Sequence, residues 1–64
     1  MVYDIGMRVK INEEGFDKYG NGFDNPEGVE GVVVGFTEDK EWANVLFDNG
    51  VENNYEDGYL TIIQ

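Results

Sequence analysis

Carboxylates and aromatic rings are the only chemically capable side chains present in quantity in this 64-residue sequence. Fourteen Asp and Glu stand against four Lys and Arg, and four Tyr, four Phe and one Trp are set among them. The two kinds interleave most densely in residues 13–30 and in the short run Glu38-Asp39-Lys40-Glu41-Trp42. Aromatic faces attract cations and pack on apolar stems, while carboxylates pair with Arg or Lys. Such a set suits the capture of a basic segment of a protein partner in an aromatic and acidic groove. The candidate contact residues are Asp17, Tyr19, Phe23, Asp24, Glu27, Glu30, Glu38, Asp39, Glu41, Trp42, Tyr55 and Tyr59.

Catalysis is a poor match to this inventory. An enzyme needs a nucleophile with a base, a metal, or paired carboxylates in a cleft. The chain has no Cys, His or Ser, so its hydroxyls are Thr37, Thr61 and the four tyrosines. Paired acids such as Glu13 with Glu14 carry no information where acids abound. Without Cys and His the usual zinc ligands are missing too. Aligning Asp17, Asn21 and Gly22 with positions one, five and six of a calcium loop puts Tyr19 at position three. Gly28 then falls at position twelve, where a bidentate Glu belongs. No enzyme activity, metal or cofactor is expected.

The formal charge of −10 bears on partners. A field of that sign repels nucleic acid and anionic membrane and attracts basic protein surfaces. Direct nucleic-acid binding and membrane association are therefore not expected. An acidic body of this size suggests an alternative reading, a nucleic-acid mimic that inhibits a DNA- or RNA-handling enzyme in the manner of small viral antagonists. Duplex DNA presents one charge per ~1.7 Å of axis, which a small compact body bearing −10 could imitate. The N-terminal MVYDIGMRVK lacks a signal-peptide core, and no apolar run nears the ~20 residues that span a bilayer. The cytoplasm is the expected compartment.

The elements that must position these residues are strands. With 41% hydrophobic and 14% aromatic residues the chain is too apolar for an acidic disordered tail. Met7-Arg8-Val9-Lys10-Ile11 alternates apolar and polar, which sets Met7, Val9 and Ile11 on one face. Gly31-Val32-Val33-Val34-Gly35-Phe36, Trp42-Ala43-Asn44-Val45-Leu46-Phe47, residues 51–55 and Tyr59-Leu60-Thr61-Ile62-Ile63 read as four further strands. Asn49-Gly50 predicts a type I′ hairpin turn. Residues 12–30, with four glycines and the only proline, read as one long loop. Its Phe16, Tyr19, Phe23 and Val29 are expected to fold back on the body. No helix longer than one turn is expected.

Five short strands with one long loop between the first two predict a single all-β domain over residues 1–64, a small SH3-like barrel. Closure of the sheet would remove the exposed edges. The expected core is Val9, Ile11, Val32, Val34, Val45, Phe47, Leu60 and Ile62.

The stretch Phe47-Asp48-Asn49-Gly50-Val51-Glu52-Asn53-Asn54-Tyr55-Glu56-Asp57-Gly58-Tyr59-Leu60 resembles the signature of the Mind-bomb/HERC2 domain. That family carries a tryptophan-aspartate-asparagine-glycine turn, then Asn and Tyr, then a Gly and a closing Leu. Gly31-Val32-Val33-Val34 is similar to the strand that precedes this hairpin there. The likeness covers about half the chain, from Gly31 onward. It implies an SH3-like fold and a role in binding peptide segments of partner proteins. The family's Trp is Phe47 here, and Glu56 stands where an Arg usually follows the Tyr, which reverses a charge beside the hairpin.

In an SH3-like barrel the loop after the first strand borders the ligand groove. Strand alternation adds Trp42 to that surface. If Val45 and Phe47 point inward, so does Ala43, and Trp42 falls on the opposite face with Asn44 and Leu46. An outward Trp is a candidate binding anchor. Of Tyr55 and Tyr59, at least one is expected to bury its ring and hydrogen-bond through its hydroxyl.

Overall fold

Strand alternation shows directly in burial along the first strand of the computed structural model, which describes residues 1–63. In β1 (Arg8–Ile11), Val9 and Ile11 are buried while Lys10 is exposed. Four more strands follow: β2 (Gly31–Phe36), β3 (Ala43–Phe47), β4 (Glu52–Tyr55) and β5 (Leu60–Ile63). All pair antiparallel in the order β4-β3-β2-β1-β5. The small all-β fold with a long connection after the first strand is thus the fold adopted.

The sheet is open, because β4 and β5 lie at its opposite edges and do not pair with each other. It cannot be flat. Strands sit about 4.8 Å apart, so a flat sheet would hold β4 and β5 roughly 19 Å apart. Five residue steps from Tyr55 to Leu60 reach at most about 18 Å when fully extended. This connection turns instead, and the molecule measures 25 × 21 × 20 Å. The sheet therefore curls around its apolar face.

Residues 12–30 are not all loop. Glu13–Tyr19 forms a seven-residue helix, α1, longer than the single turn expected. Asn12 caps it, its Oδ1 accepting from the Gly15 N–H at 2.8 Å. Glu13 and Glu14 lie in its first turn and Lys18 in its last, the arrangement a helix dipole favours. Seven residues are too few to display a helical period, so only the cap and the end charges marked it.

The core comprises Tyr3, Val9, Ile11, Val33, Ala43, Val45, Phe47, Tyr55 and Leu60. Strand β2 presents the opposite parity to the one expected. Gly31 and Val33 face in, Val32 is only partly buried, and Val34 is 42% exposed. Gly31 sets this parity, because a side chain there would meet Val45 Cγ1 at 2.8 Å and Leu46 O at 2.9 Å. A bare backbone lets β2 approach β3 closely at Gly31, and further along the pair the register shifts between Val33 and Gly35. Ile62 pairs with the buried Val9 but lies on an edge strand, and 37% of it remains exposed. Phe16, Tyr19 and Val29 pack on the core as expected, whereas Phe23 is 91% exposed and does not.

The Asn49-Gly50 hairpin also departs from expectation. Gly50 has φ 91°, but among the described residues the only positive φ outside glycine is at Lys40. A type I′ turn requires it at both central positions. Instead Gly50 N–H donates to Phe47 O at 2.9 Å and Phe47 N–H to Val51 O at 2.8 Å, closing a three-residue loop.

Gly15 meets the β4–β5 connection. A Cβ on Gly15 would lie 2.6 Å from the Tyr59 carbonyl oxygen and 2.7 Å from Ile11 Cγ2. In an unencumbered helix Gly→Ala stabilises by about 1 kcal/mol. Here the overlap, at a typical cost of ~1–3 kcal/mol, reverses the sign. Gly15→Ala is expected to lower the urea midpoint with an unchanged slope. A raised midpoint would show that α1 can move away from residue 59 at no cost.

Candidate functional site

The acidic connection between β2 and β3 is held by its own hydrogen bonds. Thr37 N–H donates to Trp42 O at 2.9 Å, and Trp42 N–H returns a bond to Thr37 Oγ1 at 3.2 Å. Asp39 Oδ1 accepts from Thr37 Oγ1 at 2.7 Å and from Glu41 N–H at 3.1 Å. These bonds, the Thr37 hydroxyl foremost, hold the Asp39 carboxyl below the usual carboxylate range. The loop is thereby a fixed platform, and it sets the backbone of Trp42 at the entry to β3.

Trp42 is partly buried and lies outside the core cluster. Alternation in β3 is as anticipated, with Ala43, Val45 and Phe47 buried and Leu46 39% exposed. The indole stands 6.3 Å from the Tyr19 ring, tilted by 50°. Tyr19, at the end of α1, is the hub of the aromatic group. It meets Tyr59 at 5.3 Å and Tyr55 at 5.9 Å, both edge to face. Trp42 also lines a concavity of about 420 Å³ with Thr37, Asp39, Asn53 and Asn54.

Glu56 closes the other side of this group. Tyr19 OH donates to Glu56 Oε1 at 2.8 Å, and Lys18 Nζ donates to the same oxygen at 3.0 Å. Lys18 Nζ also stands 4.9 Å from the Tyr59 ring centroid. Lys18 first, then Tyr19, keeps the Glu56 carboxyl below the usual range. Burial, with Glu56 adding to it, pushes the Tyr19 hydroxyl up to about 12. Met1, Lys40, Glu41, Glu56, Asp57 and Tyr59 line a neighbouring concavity of about 510 Å³.

The expected contact residues separate into groups. Tyr19, Asp39, Glu41, Trp42 and Tyr59 come together on this surface, with Glu38 beside them on the Thr37 side. Tyr55 is 1% exposed and cannot touch a partner. Its ring is the buried one, and its hydroxyl donates to Asn25 Oδ1 at 2.7 Å. Glu30 is withdrawn in another way: Arg8 holds it at 3.2 Å and Asp48 at 2.7 Å, where β2 begins and β3 ends. Trp42 lies at the other end of β3. Asp17 is exposed on α1, while Phe23, Asp24 and Glu27 are exposed on the loop after it. That loop is pinned by the buried Asn25, whose amide donates to Tyr19 O at 3.2 Å. Asn53 Nδ2 meets Asn25 Oδ1 at 3.1 Å and Asp24 O at 2.9 Å.

Sequence reasoning missed Lys18, Thr37, Asn53, Asn54 and Glu56 as parts of this surface. Thr37 carried a local signal, the hydroxyl two residues before an Asp in a turn. Glu56 was marked only as a reversed charge beside the hairpin, and Lys18, Asn53 and Asn54 carried none. No family model, curated protein or solved structure matches this chain.

Two stability profiles follow from these electrostatics. Of the fourteen acidic residues, only Glu30, Asp48, Glu56 and Asp57 form ion pairs among the described residues. Exposed pairs contribute ~0–1 kcal/mol each, so repulsion among the rest dominates the salt response. The melting temperature is expected to rise from low salt to about 0.5 M sodium chloride as screening tightens. A flat or falling profile would mean that the acids are already well spaced. On the alkaline side, Tyr19 and Tyr55 are both pushed from 10.0 up to about 12, burial leading in each. A raised folded value means their contribution is complete below pH 10 and is lost as pH climbs toward 12. Thermal melts across that window should fall, and Tyr19→Phe should flatten part of the decline.

Proposed function

We propose that this domain recognises a basic segment of a protein partner. The segment would lie between the β2–β3 connection and the β4–β5 connection. The observation that carries the reading is Trp42 itself: a partly buried residue off the core, braced by Tyr19 and sharing a concavity with Asp39, in a connection whose Glu38, Asp39 and Glu41 form no ion pair among the described residues. An aliphatic stem can lie on the indole while its charge meets these acids. The resemblance of residues 47–60 to the Mind-bomb/HERC2 signature points the same way, toward an SH3-like peptide-binding domain, and the cytoplasm is the compartment proposed for it. Glu56, in place of that family's basic residue, suits a cationic ligand.

A nucleic-acid mimic is the second reading, and the acids without a cation partner favour it. The two differ in what they ask of Trp42. A mimic binds through its charge, falls off steeply with salt and is indifferent to the indole.

The test uses a fluorescein-labelled heptapeptide of four glycines and three arginines, titrated by anisotropy at 0.15 M salt. Trp42→Ala is expected to weaken binding about thirtyfold, the effect of losing an anchor worth ~2 kcal/mol. Its melting temperature should move by less than about 5 °C, since ~1 kcal/mol shifts a domain of this size by 4–8 °C. Unchanged affinity would remove the indole from the site and leave mimicry as the stronger reading. Unfolding of the variant would make Trp42 a structural residue.

A further inference from the structure

The recognition chemistry proposed above is already satisfied once inside the molecule, by Lys18. Its ammonium stands 4.9 Å from the centre of the Tyr59 ring and 5.7 Å from that of Tyr19. It donates to Glu56 Oε1 at 3.0 Å and to Tyr59 Oη at 3.4 Å. Carboxylate, ring face and hydroxyl converge on one cation, as they would on a bound side chain. The occupant is not buried, for 47% of the Lys18 side chain and 36% of the Glu56 side chain stay exposed.

The geometry points to a second cation seat on the binding surface, formed by Tyr59, Tyr19 and Glu56, with Lys18 as its built-in competitor. The inference rests on the proposed reading of this surface as a recognition site for basic segments. The ligand class it selects is a guanidinium. Lys18 engages the seat as a point charge on one carboxylate oxygen, whereas a planar guanidinium can lie along the Tyr59 ring and fork onto both oxygens of Glu56. Tyr19 keeps its hydroxyl bond to Glu56 through the exchange, so the seat persists once Lys18 leaves. A partner arginine therefore gains only its advantage over Lys18. The domain holds its affinity down until that side chain is displaced.

Removing the occupant is the test. Lys18→Gln and Lys18→Ala each empty the seat, and Lys10→Gln is the control for the added negative charge, since Lys10 is exposed and forms no ion pair among the described residues. Titration with the arginine heptapeptide is expected to show about fivefold tighter binding for both Lys18 variants, the value of an exposed ion pair and cation–π contact together. Lys10→Gln should change affinity less than about twofold. A lysine heptapeptide should gain less than the arginine one. Thermal melts confirm that each variant is folded, and two substitutions at one exposed position guard against a defect peculiar to either.

Equal affinities for the Lys18 variants and Lys10→Gln would overturn the competitor. If Trp42→Ala still weakened binding in that case, the proposed recognition site would stand without it. Equal gains for lysine and arginine peptides would overturn the guanidinium preference. Absence of binding by every variant would overturn both the seat and the reading beneath it.

Discussion

Residues 56–59 join strands that stand at opposite edges of the sheet, and that span is the constraint from which the architecture follows. Four residues cannot bridge a flat five-stranded sheet, so the sheet must curl. Much of the polar structure exists to hold this short connection. The buried Tyr3 hydroxyl accepts from Gly58 N–H and Leu60 N–H and donates to Leu60 O, each at 3.1 Å. Asn12 Nδ2 donates to Gly58 O at 2.9 Å, and Asn12 N–H to Tyr59 O at 3.2 Å. One residue, Asn12, thus ends β1, caps α1 and fastens both to the far edge of the sheet. Among the described residues no buried side-chain polar atom lacks a partner.

The same connection makes the candidate site possible. It carries Glu56 and Tyr59, α1 brings Lys18 and Tyr19 against them, and the β2–β3 hairpin supplies Trp42 from the other direction. Three segments far apart in the chain meet at one aromatic hub, Tyr19, whose ring touches Trp42, Tyr55 and Tyr59. Packing and the proposed recognition share these rings. Tyr55 is buried in the core, Tyr19 packs against it, and Trp42 and Tyr59 are partly buried outside the core cluster. Electrostatics works against the fold meanwhile, since a −10 chain repels itself and only two of its four basic side chains, Arg8 and Lys18, form ion pairs among the described residues. A small core must outweigh that repulsion, so almost every strand residue of inward parity is buried.

Local pattern was enough wherever the physics is local. Strand positions follow from β-branched and alternating runs bounded by turn residues, and all five were legible to within a residue at each end. The inward parity of Ala43, Val45 and Phe47 followed from β3 alone, because side chains alternate and Val45 and Phe47 are plainly apolar. The inventory of acids and aromatics likewise named Tyr19, Asp39, Glu41, Trp42 and Tyr59, but not Thr37, Asn53, Asn54, Lys18 or Glu56 beside them. Alternation by itself was insufficient in β2, where three consecutive valines offer no contrast between faces. There the parity came from a missing side chain: Gly31 faces β3 because nothing larger fits against Val45 and Leu46.

What the sequence alone determined was therefore the strand content, the turn positions, the acidic aromatic character and the inward parity of β3, all properties of neighbours along the chain. Tertiary structure alone decided the rest. Lys18 finds Glu56 across 38 residues, Tyr3 finds Leu60 across 57, and Asn25 finds Tyr55 across 30. No spacing rule links such pairs, because their separation in space is set by how far the sheet curls. That curl also decides which carboxylates meet a cation and which remain free for one.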